Sequence, residues 1–242
     1  MLCTIFGSGE GLGAAIARRF GREGGRIALV ARTKRPDLVG GLNATGIDAR
    51  AFQADAASEP EVKQAFASIE CWAGETDVLI YNAAAMRADL ASELTPSRLL
   101  EDMAINLGGA LACVQAVLPT MRAKRRGTLI FTGGGLALEP YPTWTSLAAG
   151  KAALRAYSLA LHKDLAGDGI RVCVVAVCGI VSRGGPFDPN RIAEVYWQVH
   201  AGHEPPSREV VYLPDGADAF YNDPEGIYRP DSFPITVPLG AR

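Results

Sequence analysis

Residues 2–13 read Leu2-Cys3-Thr4-Ile5-Phe6-Gly7-Ser8-Gly9-Glu10-Gly11-Leu12-Gly13. An apolar pentapeptide runs straight into four glycines, and residues 12–22 continue at helical spacing. Strand, glycine turn and helix in that order let backbone N–H groups approach a pyrophosphate at the end of the helix where the dipole favours an anion. The order matters, because a glycine pattern alone is weak and a tight turn without ligand is its ordinary alternative.

Outward from this turn, short apolar runs alternate with longer amphipathic ones. Strands are expected at residues 26–32 (RIALVAR), 49–54, 77–82 (DVLIYN), 128–132 and 171–177 (RVCVVAV). Helices are expected at residues 60–72, with Ser58 as cap and Pro60 in the first turn, and at 96–122, 146–164 and 190–200. Strands that alternate with helices form βαβ units, since parallel neighbours need crossovers. The expected fold is α/β, a Rossmann-like doubly wound parallel sheet in three α/β/α layers. Residues 1–204 form this dinucleotide-binding domain. From residue 205 Pro, Gly and Asp recur, and residues 205–242 read as an irregular C-terminal arm of the same domain with no recognisable final strand.

Composition sets the bounds. The chain has 242 residues, 48% hydrophobic and 21% charged, with a net charge of −2. That suits one globular domain with a full core and argues against a general nucleic-acid partner. No apolar run approaches the ~20 residues that span a bilayer, so no membrane partner is expected. The basic run 122–126 reads as a solvated helix end. Five cysteines, odd in number and without metal-site spacing, read as buried reduced thiols. Three scattered histidines, His162, His200 and His203, give no metal site. The amino terminus lacks the pattern of a signal peptide, and a cytoplasmic location is expected.

The end of the second strand reads the adenosine ribose. An acid there would bind both hydroxyls of NAD, but the chain has Ala31-Arg32-Thr33-Lys34-Arg35. A guanidinium suits a 2′-phosphate, so NADP (NADPH) is favoured over NAD, with Arg32 and Thr33 as its contacts. Glu10 argues the other way, being near the same phosphate. Lys34 and Arg35 read as solvated loop.

These residues resemble the short-chain dehydrogenase/reductase family over about residues 1–200. Gly7-x-x-x-Gly11-Leu12-Gly13 is similar to its TGxxxGxG loop, with Phe6 for the threonine. Asp55-Ala56 resembles its adenine-contacting pair, and Tyr81-Asn82-Ala83-Ala84 its NNAG segment. Ile105-Asn106 resembles the position of its catalytic asparagine, Lys151 that of the lysine of YxxxK, and Cys178-Gly179 its PG. The resemblance implies cofactor contacts at Gly7, Ser8, Gly9, Gly11, Leu12, Asp55, Ala56, Asn82, Ala83, Ala84, Lys151, Gly179 and Ile180, and retained catalytic positions at Asn106 and Lys151.

Two groups of the family pattern are missing. Its tyrosine falls on Leu147 and its serine on Gly134. Leucine donates no proton and glycine orients no carbonyl, a loss of several orders of magnitude in rate. Tyr141 is the best substitute by position. Ser146 is turned roughly 100° from Leu147 around the helix, and Tyr157 lies on nearly the opposite face from Lys151. The loop at 180–187 is shorter than the family's substrate lid, which leaves that end open to water. Two readings therefore stand. One is an NADP-dependent oxidoreductase of an unknown small carbonyl or alcohol with a non-standard site. The other is a catalytically silent NADP-binding sensor or partner subunit. The resemblance also implies a homodimer through the helices holding residues 107–121 and 152–165, with Ala152, Ala153, Ala156 and Ala160 allowing close approach. A tetramer would need the altered C-terminal region.

Overall fold

The computed structural model describes residues 1–202, 208–215 and 217. In chain order the elements are β1 (Leu2–Phe6), α1 (Leu12–Arg22), β2 (Arg26–Ala31), α2 (Pro36–Ala44), β3 (Ala49–Gln53), α3 (Glu59–Ala73) and β4 (Val78–Tyr81). Then come α4 (Pro96–Met103), a π-helical turn (Ala104–Gly108), α5 (Gly109–Lys124), β5 (Gly127–Thr132), a 3₁₀ turn (Gly135–Ala137), α6 (Thr145–Asp164), β6 (Ile170–Val177), α7 (Pro189–Ala201) and β7 (Glu209–Tyr212).

The seven strands form one sheet in the order β3-β2-β1-β4-β5-β6-β7, and every pair is parallel. Alternation along each strand feeds two cores. Leu2, Phe6, Ala28 and Val30 pack with Phe66 and Ile69 of α3 and Val114 and Val117 of α5. Cys3, Ile5, Ile27 and Leu29 pack on the other face with Ile16 and Phe20 of α1 and Ile192 and Tyr196 of α7. Both strand faces are buried, so strands such as β1 and β5 carry unbroken buried runs. This is the expected doubly wound, three-layer sheet. The chain reverses direction across the sheet between β1 and β4, where a crevice opens beyond the carboxyl ends of the strands.

Four expectations change. Residues 205–242 are not wholly irregular: β7 adds a seventh strand beside β6, held by the Arg155 guanidinium on both carboxylate oxygens of Glu209 at 2.6 and 2.7 Å. Four residues among prolines and glycines carry too little periodicity to be read as a strand. Residues 205–207, 216 and 218–242 of that arm, like His203 before it, lie outside the described residues. α2 was not anticipated, because only Leu42 of its nine residues is buried and no apolar stripe forms; Pro36 in its first turn was the available cue. The helix expected at 96–122 is broken by the π turn at its polar middle, and Pro96–Lys124 as a whole is long and apolar enough, by length and composition, to cross a bilayer. In the fold its apolar side covers the sheet. Of the five cysteines Cys71 is exposed, while the other four are buried and all are free.

The basic run is the solvated end of α5, as expected: residues 122–126 are all exposed, and they carry surface ion pairs. Arg122 pairs with Asp164 and Asp168, Lys124 with Glu75, and Arg126 with Asp77. Ser58 does cap α3, accepting from the Glu61 amide.

Candidate functional site

The turn after β1 is built by contacts that only glycine permits. Gly7 has φ +95°, and a Cβ there would collide with the Ala83 backbone. That close approach seats β1 against the β4 loop, where Asn82 donates from its Nδ2 to the Gly7 carbonyl at 2.8 Å. Ser8 is turned inward, its hydroxyl on the Val30 carbonyl at 3.2 Å. Gly9 and Gly11 differ: a Cβ on either would meet nothing within 4 Å. Their missing side chains leave open space over the start of α1. The α1 helix has no side-chain cap, and the first partnered amides are those of Ala14 and Ala15. Free amides and an open cradle at a helix N-terminus are what an anion requires.

This turn is one wall of a cleft of about 420 Å³ at the carboxyl edge of the sheet. Its lining includes Gly7, Ser8, Gly9, Arg32, Thr33, Asp55, Ala56, Asn82, Ala83 and Ala84, ten of the positions anticipated. Asp55 is set by the start of α3, accepting from the Ala57 amide at 2.9 Å. Arg35 also lines the cleft, and its guanidinium reaches Glu10 at 3.5 Å. Arg35 is an exposed residue of the loop 32–35 between β2 and α2, as expected, and that loop brings it beside the glycine turn. Met86, Arg87 and Ile105 complete the other end. Nothing in the local spacing marks Met86 or Arg87, while Ile105 stands beside Asn106 in the family resemblance.

Gly11, Leu12, Asn106, Lys151, Gly179 and Ile180 do not line this cleft. Leu12 is buried in the core under α1. Gly179 is packed on the Phe187 ring, leaving no room for a Cβ, and Ile180 is exposed on the short loop before α7.

Beyond the cleft several polar groups are bound to protein. Asn106 sits buried in the π turn, accepts from the Ala85 amide at 2.8 Å, and leaves its Nδ2 buried without a partner. A Cβ at Gly150 would collide with that side chain, so α6 packs on the turn only through glycine. Lys151 is buried, not a surface cation, and donates to the Thr132 carbonyl at 2.7 Å. Burial lowers its pKa to about 8. The Thr132 hydroxyl donates to Asn82 Oδ1 at 2.9 Å and so accepts from Tyr196 at 2.8 Å. Burial pushes the Tyr196 phenol well up.

Leu147 is a buried leucine with no hydroxyl to offer. Ser146 is committed elsewhere, donating to the buried Asp102 at 2.7 Å. Tyr141 stays in the loop before α6, its backbone carbonyl accepting from the Trp144 amide, with no side-chain hydrogen bond among the described residues. Gly133 and Gly134 have different causes. A Cβ at Gly133 would press on Val174 and Ala176, whereas at Gly134, in extended backbone, it would sit at ordinary contact, 3.8 Å from Lys151 and Val177.

Comparison with known proteins gives the family and supports the fold. The family model for short chain dehydrogenase matches residues 2–184, and the chain belongs to that family. It is 33% identical over 178 residues to the 3-oxoacyl-[acyl-carrier-protein] reductase of Bos taurus, covering 72% of this chain and 73% of that protein. It is 30% identical over 185 residues to the 2,3-dihydro-2,3-dihydroxybenzoate dehydrogenase of Bacillus subtilis (strain 168), covering 76% and 69%. Among solved structures, a metagenomic short-chain oxidoreductase in complex with NADP superposes with a TM-score of 0.81 at 23% identity over 88% of this chain and 97% of the other. A single-residue variant of the actinorhodin polyketide ketoreductase with NADPH gives 0.79 at 23% over 87% and 94%.

Proposed function

We propose that the cleft binds NADP(H) and that the protein is an oxidoreductase of a carbonyl or alcohol, with a proton donor other than the tyrosine expected at position 147. The observation that carries this reading is the arrangement of the cleft. One wall is an open glycine cradle at a helix N-terminus, and its end is Arg32, Thr33 and Arg35 with no acid closing β2. The cradle suits a pyrophosphate and the two arginines a 2′-phosphate. The NADP and NADPH complexes among the similar structures support the same reading.

When bound, the nicotinamide supplies or accepts the hydride. Asn82, bonded to Gly7 and Thr132, holds three strand ends in register at the floor of the cleft, where it would support the bound cofactor. Lys151 stands one strand end away on the Thr132 carbonyl, four residues after Leu147, with its pKa lowered to about 8 by burial.

The test is calorimetric titration with NADPH and NADH, followed by turnover on a panel of carbonyls. Binding of NADPH about tenfold or more tighter than NADH is expected, a difference of about 1.4 kcal/mol. Equal binding would remove the 2′-phosphate reading. A second reading, a silent NADP-binding sensor or partner subunit, is favoured by Leu147, Gly134 and the commitment of Ser146 to Asp102. Tight NADPH binding without turnover would select it. We also propose a homodimer through α5 and α6, since Ala152, Ala156 and Ala160 form an exposed row of small residues on α6. Sedimentation at the monomeric mass would overturn this.

A further inference from the structure

We propose that Arg87 is a built anion-binding group at the far end of the cleft, set to take an oxyanion of a phosphate or carboxylate. The proposal rests on the preceding reading for what fills the rest of the cleft, though not for the anion itself.

Arg87 lines the cleft opposite Arg32 and Arg35, beyond Asn82–Ala84. Its Nη1 faces α4, 3.3 Å from Asp102 Oδ1 and 3.5 Å from Glu101 Oε2. Asp102 is 1% exposed, with Oδ2 taken by Ser146 and Oδ1 holding no hydrogen bond. Arg98 stands 3.7 Å from it, without a hydrogen bond. A buried carboxylate so placed needs a cation, and it anchors the guanidinium of Arg87 by one nitrogen.

The loop that carries Arg87 is pinned on both sides. The Ala85 amide bonds Asn106 at 2.8 Å, and the Asp89 amide bonds the Thr143 carbonyl at 3.0 Å. Asp89 in turn accepts from the Ser146 amide at 3.1 Å. Arg87 is thus held by its backbone and by its inner edge. Its Nε and Nη2 have no hydrogen-bond partner among the described residues, and the side chain remains 36% exposed. A planar guanidinium fixed along one edge offers its other edge to a bidentate oxyanion. Two sources share that chemistry: the pyrophosphate of a dinucleotide, and an anionic group on the substrate.

The experiment titrates wild type, Arg87→Gln and Arg87→Lys calorimetrically with NADPH, with inorganic pyrophosphate, and with malonate on the NADPH-saturated protein. Arg87→Lys keeps a cation beside Asp102 and loses the fork, so it guards against a folding defect in Arg87→Gln. Arg87→Gln is expected to weaken at least one ligand about tenfold, with Arg87→Lys between it and wild type. Loss of NADPH and pyrophosphate affinity assigns Arg87 to the cofactor. Unchanged NADPH affinity with lost malonate affinity assigns it to the substrate. If wild type fails to bind NADPH yet binds pyrophosphate through Arg87, the proposed function falls and the anion site stands. Equal affinities of wild type and Arg87→Gln for all three ligands overturn the proposal.

Discussion

The two ends of the strand edge are built on opposite principles. At the β1–β2 end, groups that a ligand would use are left open: the Gly9–Gly11 cradle, the first amides of α1, and Arg32 beside Arg35. At the β5–α6 end, several polar groups are consumed by the protein itself, although Asn106 Nδ2 and Asp102 Oδ1 keep no hydrogen-bond partner among the described residues. Lys151 is on Thr132, Ser146 on Asp102, and Thr132 on Asn82. The contrast teaches that an open glycine cradle and the hydroxyls expected beside Lys151 are separately specified on one sheet: this chain keeps the first and carries Leu147 and Gly134 in place of the second.

The sharpest way to break the contrast is to restore the missing hydroxyls. Gly134→Ser has room, since a Cβ there meets its neighbours at 3.8 Å. Combined with Leu147→Tyr, it is expected to raise carbonyl turnover with NADPH about a hundredfold or more. Gly134→Ser with Leu147→Phe, which lacks the hydroxyl, should give no gain. If both pairs behave alike, the β5–α6 end differs by more than its proton donor.

Next in size, Gly7→Ala strikes the open end. It forces a side chain into φ +95° and into the Ala83 backbone, at a cost of about 3 kcal/mol. Urea unfolding should show the loss, and NADPH affinity should fall with it. Gly9→Ala, with open space around its Cβ, should keep stability and weaken NADPH alone.

The smallest effect concerns Lys151. Its pKa falls from 10.5 to about 8 on burial, so the unfolded chain binds its proton more tightly. The penalty is full below about pH 8 and disappears as the pH rises to 10.5. A shift of that size corresponds to about 3 kcal/mol, and losing the Thr132 bond returns about 1. Lys151→Met should therefore be about 2 kcal/mol more stable than wild type at pH 7, with the advantage fading between pH 8 and 10.5. An equal or less stable variant would show that the lysine is kept for packing rather than for a ligand.

What could be read from the chain alone divides along the same line. Residues 2–13 carried strand, turn and helix in adjacent positions, so local physics decided them. The continuous apolar run of β2 and the alanine-rich α6 were equally local. β7 escaped because four residues between prolines have no period, and α2 because it buries one side chain. Arg35 and Arg87 enter the cleft through turns whose direction depends on the whole sheet. Asp102 is buried by α6, a partner 44 residues away, and the i,i+4 spacing to Arg98 read alone suggests a surface pair. The departures at Leu147 and Gly134 were visible, but their surroundings were not.

The neighbouring glycines at 133 and 134 draw one further consequence. The first is frozen, since any substituent presses on β6 backbone and Val174. The second is spare. A library randomised at both positions would return glycine at 133 and varied residues at 134, leaving one mutable position at the edge of the sheet from which new chemistry could be selected without disturbing the fold.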